Sequence, residues 1–293
     1  MNTFDKLFLI DGMALIYRSY YAMIKNPLIS SSGLNTSAIY GFINSLLKLL
    51  RDENPKYLAV VLDSKAKTFR HKIYEAYKAT RKPMPDDLSE QISPLLEIIN
   101  SLNIPIYKKD EFEADDILGT ISNYYQKRKL FTYIYSSDKD LMQLVSDNVF
   151  VYSPGNRFTK TMIYNNQEVK NKWDVNPNQI IDYLSLVGDT SDNVPGVKGV
   201  GKKTACKLLN KFGNIDNIYK SIEQVDNLKL KDKLMESKES AFLSRDLVTL
   251  DLKVDIEFKL NKMNLNDINF YNIVDKLHNL DIYTFDKFLT KKS

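Results

Sequence analysis

Between residues 6 and 152 the chain alternates short, near-continuous apolar runs with longer stretches whose apolar residues recur every three or four positions, and nothing else constrains its fold as strongly. The runs 6–10, 57–62, 104–107, 132–135 and 149–152 read as strands, and the stretches 36–53, 86–102 and 113–129 as amphipathic helices. Strands that are apolar on both faces belong in a parallel sheet covered by helices on both sides. The predicted fold class is therefore α/β, a mostly parallel central sheet flanked by helices over residues 1–175. From about residue 176 the pattern turns to helices alone, at 177–187, 202–212, 215–222, 229–235 and 239–249, which makes 176–293 a second, helical region. Its last part, 252–293, is weakly periodic and says little.

Composition narrows the chemistry. Cys206 is the only cysteine, which excludes an internal disulfide and a cysteine-held metal, and His71 and His278 stand far apart in sequence. Any metal must be held by carboxylates. The early apolar run 7–17 is split by Asp11, and no uncharged apolar stretch of about 18 residues follows, so a membrane partner is not expected and a reducing, cytoplasmic setting is. With 41 basic against 37 acidic residues the net charge is only +4, but the charges are segregated. Seven Lys or Arg and one acid occupy 65–82, whereas 110–116 holds five acids in seven positions.

In parallel sheets, ligands collect beyond the carboxyl ends of the strands. Asp11 and Asp63 each follow an apolar run directly, and a third run leads within a few residues to Asp138 and Asp140. Any one post-strand aspartate can be read as a helix cap; three strands ending alike weaken that reading. Glu113, Asp115 and Asp116 open a helix, where acids also suit the dipole, yet three carboxylates so close repel one another and a cation relieves that cost. Asp189 and Asp192 lie close together further on. Nine such acids suit hard divalent ions, Mg²⁺ or Mn²⁺, and their number suggests two ions with an outer shell, an arrangement that serves phosphodiester cleavage.

Two basic segments accompany the acids. Gly196, Lys198, Gly199, Gly201, Lys202, Lys203 and Thr204 read as a helix-hairpin-helix over about 185–212, with free amides and lysines at a helix start to hold duplex phosphates without reading bases. The spacing is not that of a Walker loop. Phe69, Arg70, Tyr74, Tyr77, Lys78 and Arg81 interleave aromatics with cations; such a run is either a solvated helix face or a surface for single-stranded nucleic acid, in which Lys78 and Arg81, one helical turn apart, clamp the scissile phosphate.

These residues carry a resemblance. Phe8-Leu9-Ile10-Asp11-Gly12, Val60-Val61-Leu62-Asp63, Phe69-Arg70, Tyr77-Lys78 with Arg81, Glu113-Ala114-Asp115-Asp116, Asp138-Lys139-Asp140 and the segment from Gly188 to Gly201 resemble, in order and over nearly the whole chain, the 5′ nuclease domain of bacterial DNA polymerase I in the flap endonuclease family. The resemblance implies a 5′-3′ exonuclease and 5′-flap endonuclease acting in primer removal and repair on DNA with a 5′ flap, nick or 5′ end, RNA-DNA primer junctions included. It assigns Asp11, Asp63, Glu113, Asp115 and Asp116 to one group of metal-site acids and Asp138, Asp140, Asp189 and Asp192 to the rest. Lys78 and Arg81 engage the scissile phosphate, Tyr77 stacks beside it, 68–102 forms a helical arch, and the hairpin carries a K⁺ on backbone carbonyls. Ser136-Ser137 departs from the family's usual Thr-Gly. With the chain ending at Ser293 the expectation is a stand-alone monomer that relies on a separate DNA polymerase and ligase. A non-catalytic DNA-binding module and a related metal-dependent RNA nuclease are the alternatives.

Overall fold

The structure, a computed structural model, describes residues 5–156 and 159–289. Among these residues the strands β1 (Lys6–Asp11), β2 (Tyr57–Val61), β3 (Ile106–Tyr107), β4 (Phe131–Tyr135), β5 (Val149–Ser153) and β6 (Met162–Tyr164) form one sheet in the order β3-β2-β1-β4-β5-β6. All pairings are parallel except β5 with β6. Short β6, with Met162 and Ile163 in solvent, is an apolar run of only three residues and is not among the strands expected from the sequence.

Register decides where the strands end. Asp11 pairs with Val61 and Ile10 with Tyr135, so β1, β2 and β4 finish level and the residues that follow them share one rim. The chain adds β2 and β3 on one side of β1 and then β4 and β5 on the other, which opens a crevice beyond the ends of β1 and β4. Alternate residues of β1 feed two cores. Leu7 and Leu9 join Ala59, Val61 and Ile134 on one face, and Phe8 and Ile10 join Leu58 and Val60 on the other.

The second face is covered by α1 (Gly12–Ala22), α2 (Ser37–Glu53) and, beyond the five-residue α3 (Phe69–Ile73), by α4 (Asp86–Ser101). The start of α1 lies so near the sheet that a Cβ on Gly12 would stand 2.9 Å from the Val61 carbonyl. Leu88, Leu95, Ile98 and Ile99 seat α4 in the core, which corrects the arch expected over 68–102: from residue 86 onward that segment is a packed layer. The first face carries α5 (Ala114–Gln126) and, after α6 (Asn166–Trp173), the bundle of α7 (Ile180–Val187), α8 (Lys202–Phe212), α9 (Ile215–Lys220), α10 (Leu228–Glu236) and α11 (Lys238–Val248).

The region over 176–293 is helical as expected, with no strand among its described residues, but it does not stay on one side of the sheet. Beyond α11 the chain returns to the sheet: Asn264 bridges Tyr57, the Leu265 amide donates to the Lys56 carbonyl at 3.0 Å, and α12 (Tyr271–His278) and α13 (Asp286–Leu289) follow. Phe270, Ile273, Leu277, Ile282 and Phe285 are buried in the core beside α2 and α4. No helix among the described residues is long and apolar enough to cross a membrane.

Candidate metal centre and nucleic-acid interface

The rim of the sheet gathers acids by ordinary local means. Asp11 ends β1 and caps α1, accepting the Ala14 amide at 3.1 Å on Oδ1, while Ser136 Oγ donates to Oδ2 at 2.9 Å. The capping explanation is thus true of one of its oxygens. Asp63, past β2, accepts the Ala114 amide at 2.9 Å and so ties itself to the start of α5, where Glu113 is the cap and Asp115 lies in the first turn. Burial pushes the Asp11 carboxyl up to about 7, with Asp63 and Asp138 adding like charge. Asp115 is pushed well above the carboxylate range, first by burial and then by Asp138, Asp11, Asp63 and Glu113. Asp63, though part of it meets solvent, is raised by the protein walls that strip water from it. Four chain segments therefore aim their charge at one another.

A second group adjoins the first. Asp138 caps the turn that carries Asp140, accepting the Asp140 amide at 2.8 Å, and Asp189 and Asp192 sit on the loop after α7, closed by reciprocal Asp189–Val194 backbone bonds of 2.9 and 2.7 Å. Asp140, Asp189 and Asp192 each place one carboxylate oxygen within 4.8 Å of the others. Asp140 Oδ1 is buried without a hydrogen-bond partner among the described residues. A carboxylate oxygen withheld from water and from donors is costly unless a proton or a cation relieves it, and burial followed by the Asp138 charge raises this carboxyl well above its ordinary range. An all-oxygen, multiply anionic donor set fits a hard divalent ion, so this cluster can bind one.

Cations close over the acids. Lys78 Nζ is 2.6 Å from Glu113 Oε1 and 3.8 Å from Asp192 Oδ2, Arg81 Nε is 2.9 Å from Asp192 Oδ1, and Lys139 Nζ is 2.9 Å from Asp189 Oδ2. Residues 74–81 form turns rather than the helix that the Lys78–Arg81 spacing suggested. Lys78 has φ 57°, its amide donates to the Asp192 carbonyl at 2.9 Å, and Asn193 Nδ2 donates to the Ala76 carbonyl at 2.7 Å. Burial works against the charge on Lys78, but Glu113 and Asp192 outweigh it and raise its pKa.

Three expectations need correction. Arg70, expected at DNA, is 1% exposed: its guanidinium donates to both Asp116 oxygens at 2.7 and 2.8 Å and to the Leu247 and Thr249 carbonyls. Asp116, expected at a metal, is fully buried beneath it and takes the Glu113 and Asp251 amides as well, so no lone pair is left for an ion. Tyr77, expected to stack on substrate, is 4% exposed in the core, its hydroxyl donating to Glu113 at 3.2 Å. Phe69 packs on Phe112 at the base of the same segment.

On the far side of the Asp189–Val194 loop lies the hairpin. Gly196, with φ 64°, stands so close to Gly188 that a Cβ would come within 2.5 Å of the Gly188 nitrogen. Val197 returns its amide to Leu186, and α8 starts at Gly201 with no capping side chain and open space beside it. Lys198, Gly199, Gly201, Lys202 and Lys203 are exposed there, and Thr204 is half-buried. Lys233 of α10, which the sequence did not single out, brings Nζ against Gly199. Ser136, Lys139 and Asn193 were also missed as site residues; their only signal was adjacency to the acids.

Residues 6–174 match the family model of the 5′-3′ exonuclease N-terminal resolvase-like domain, and 175–270 that of the 5′-3′ exonuclease C-terminal SAM fold. A 5′-3′ exonuclease of Aquifex aeolicus is 39% identical, covering 97% of this chain and 95% of that protein. DNA polymerase I of Bacillus subtilis is 38% identical over 94% of this chain, which spans only 31% of that protein. Among solved structures, T5 5′-exonuclease with bound zinc superposes with a TM-score of 0.68 at 21% identity, covering 97% of each chain. The catalytic core of Rad2 in complex with DNA substrate gives 0.65 at 15% identity, covering 97% of this chain and 90% of that one. At such identities the two structures speak for the fold.

Proposed function

This chain belongs to the 5′-3′ exonuclease family, and from that premise we propose that it hydrolyses DNA phosphodiesters at 5′ ends and 5′ flaps with the help of two divalent ions, Mg²⁺ or Mn²⁺. The observation that carries the reading is the convergence of acids from five separate segments on one rim, with a buried Asp140 oxygen that has no donor among the described residues. Asp11, Asp63, Glu113 and Asp115 would hold one ion, and Asp140, Asp189 and Asp192 the other, with Asp138 between them. Such ions activate water and stabilise a departing oxygen. The chain's own residues supply the rest. Lys78 and Arg81 present positive charge over the acids, where an incoming phosphate can draw them off Glu113 and Asp192 and be held by them. Tyr77 buttresses that pair from the wall. Lys198, Lys202 and Lys203 grip duplex backbone, and a K⁺ on hairpin carbonyls belongs to the same reading.

We further propose a cytoplasmic monomer that removes 5′ flaps and RNA-DNA primer remnants alongside a DNA polymerase and a ligase. Labelled 5′-flap DNA incubated with Mg²⁺ or with a chelator, and resolved by product length, tests the activity. Cutting near the junction in Mg²⁺ alone is expected, and Asp140→Ala should abolish it while still binding duplex. Cutting that survives chelation, or equal turnover on unstructured RNA, would overturn the reading.

A further inference from the structure

The downstream acids are not equally available. Asp189 is 9% exposed and both its oxygens are bonded: Oδ1 accepts the Ser191 amide at 2.9 Å and hydroxyl at 2.7 Å, and Oδ2 faces Lys139 Nζ at 2.9 Å. Asp140, one residue further along the chain from Lys139, leaves a buried oxygen with no hydrogen-bond partner among the described residues. A positive charge of the protein thus stands on one of the three acids that together could hold a divalent ion. Lys139 is flanked by Asp138 and Asp140, which lie among the acids, while its own side chain is 40% exposed and has solvent to retreat into.

We propose that Lys139 is a built-in counter-ion of the downstream acids, holding Asp189 to the Asp138–Asp140 turn in the metal-free protein and surrendering it when a divalent ion enters. It is a positioning residue that sets how tightly that ion is held. The inference rests on the two-ion reading above. Crowded carboxylates repel one another, and the Lys139 ammonium lowers that repulsion at Asp189 as Arg81 does at Asp192; the same ammonium opposes an incoming ion. Even at the dielectric of water, a unit charge about 5 Å from a divalent ion weakens its binding on the order of tenfold.

Mn²⁺ binding to the intact, DNA-free protein, followed by calorimetry and by loss of the free-ion paramagnetic resonance signal, tests this. Wild type should show a tighter and a weaker class of site, and Asp140→Ala should remove the weaker one and so identify it. Lys139→Met, with Lys139→Gln as a second neutral variant, should tighten the weaker class about tenfold while lowering the melting temperature of the metal-free protein, whereas Lys139→Arg should stay near wild type. A weaker class in a folded neutral variant within about twofold of wild type would overturn the role of Lys139 alone. Absence of any Mn²⁺ uptake by wild type would instead overturn the two-ion reading, and this inference with it.

Discussion

Asp115 and Asp116 are the same residue type side by side, yet they do opposite work. Asp116 is locked under Arg70, 46 residues away, and shares that guanidinium with the end of α11, whereas Asp115, about 100° further round α5, faces Asp11, Asp63 and Asp138. Sequence spacing could show that acids crowd a helix start; it had no access to which one a distant arginine would claim. Tyr77 and Arg70 were misread for the same reason, since a charged or aromatic residue in a basic run carries no mark of its burial. The crowded, buried acids have a measurable consequence. In the folded, metal-free protein Asp11 holds its proton up to about 7, against an ordinary value of 3.8, and Asp115 and Asp140 are shifted in the same direction. Between about pH 4 and 7 the folded state therefore binds more protons than the unfolded one, and stability falls as pH rises through that window. In chelator the melting temperature should drop from pH 5 to pH 8, and the gain on adding Mg²⁺ should be larger at pH 8 than at pH 5. Scanning fluorimetry in EDTA and in Mg²⁺ measures both, and a Mg²⁺ gain that is flat or falls with pH would contradict the cluster's charge state.

Elements were legible where their apolar pattern was long. The five parallel strands and the helices α2, α5, α8 and α11 are within a few residues of expectation, because strands buried on both faces and helices with one apolar stripe each leave a period in the sequence. Three-residue β6 and eight-residue α6 leave none. The start of α8 shows what an element boundary can do that its interior cannot: exposed Lys202 and Lys203 stand where the helix has no capping side chain, so amides and ammonium groups meet an anion together. Each phosphate contact neutralised by a lysine contributes about 0.9 to the slope of log affinity against log salt. Lys202→Ala/Lys203→Ala should weaken duplex binding and reduce that slope by roughly 2 if both lysines touch backbone. Fluorescence anisotropy on a blunt duplex across a salt series reads this directly, and an unchanged slope would remove the pair from the interface.

At the scale of the whole molecule, the two regions expected from sequence are laced together at both faces of the sheet. The helical bundle shares a core with α5 on one face, and the tail beyond α11 crosses back to the other, where it pairs with Lys56 and Tyr57 at the start of β2. That strand carries Asp63 at its far end, so the tail braces a layer on which the acidic rim depends. Little in the residue pattern announces this bracing, since Ile273 and Leu277 form a stripe in only eight residues of helix and the other anchors lie in turns. Five large apolar side chains, Phe270, Ile273, Leu277, Ile282 and Phe285, are buried there. At about 1.5–3 kcal/mol each their removal costs on the order of 7–15 kcal/mol, comparable to the whole stability of a typical domain. Deleting residues 264–293 should accordingly abolish the cooperative melt seen by circular dichroism and expose dye-binding apolar surface over α2 and α4, although every proposed metal ligand and hairpin lysine is retained. If the shortened chain instead melted sharply near the full-length temperature, the second face would be closed without its tail, and the acidic rim would stand on α1, α2 and α4 alone.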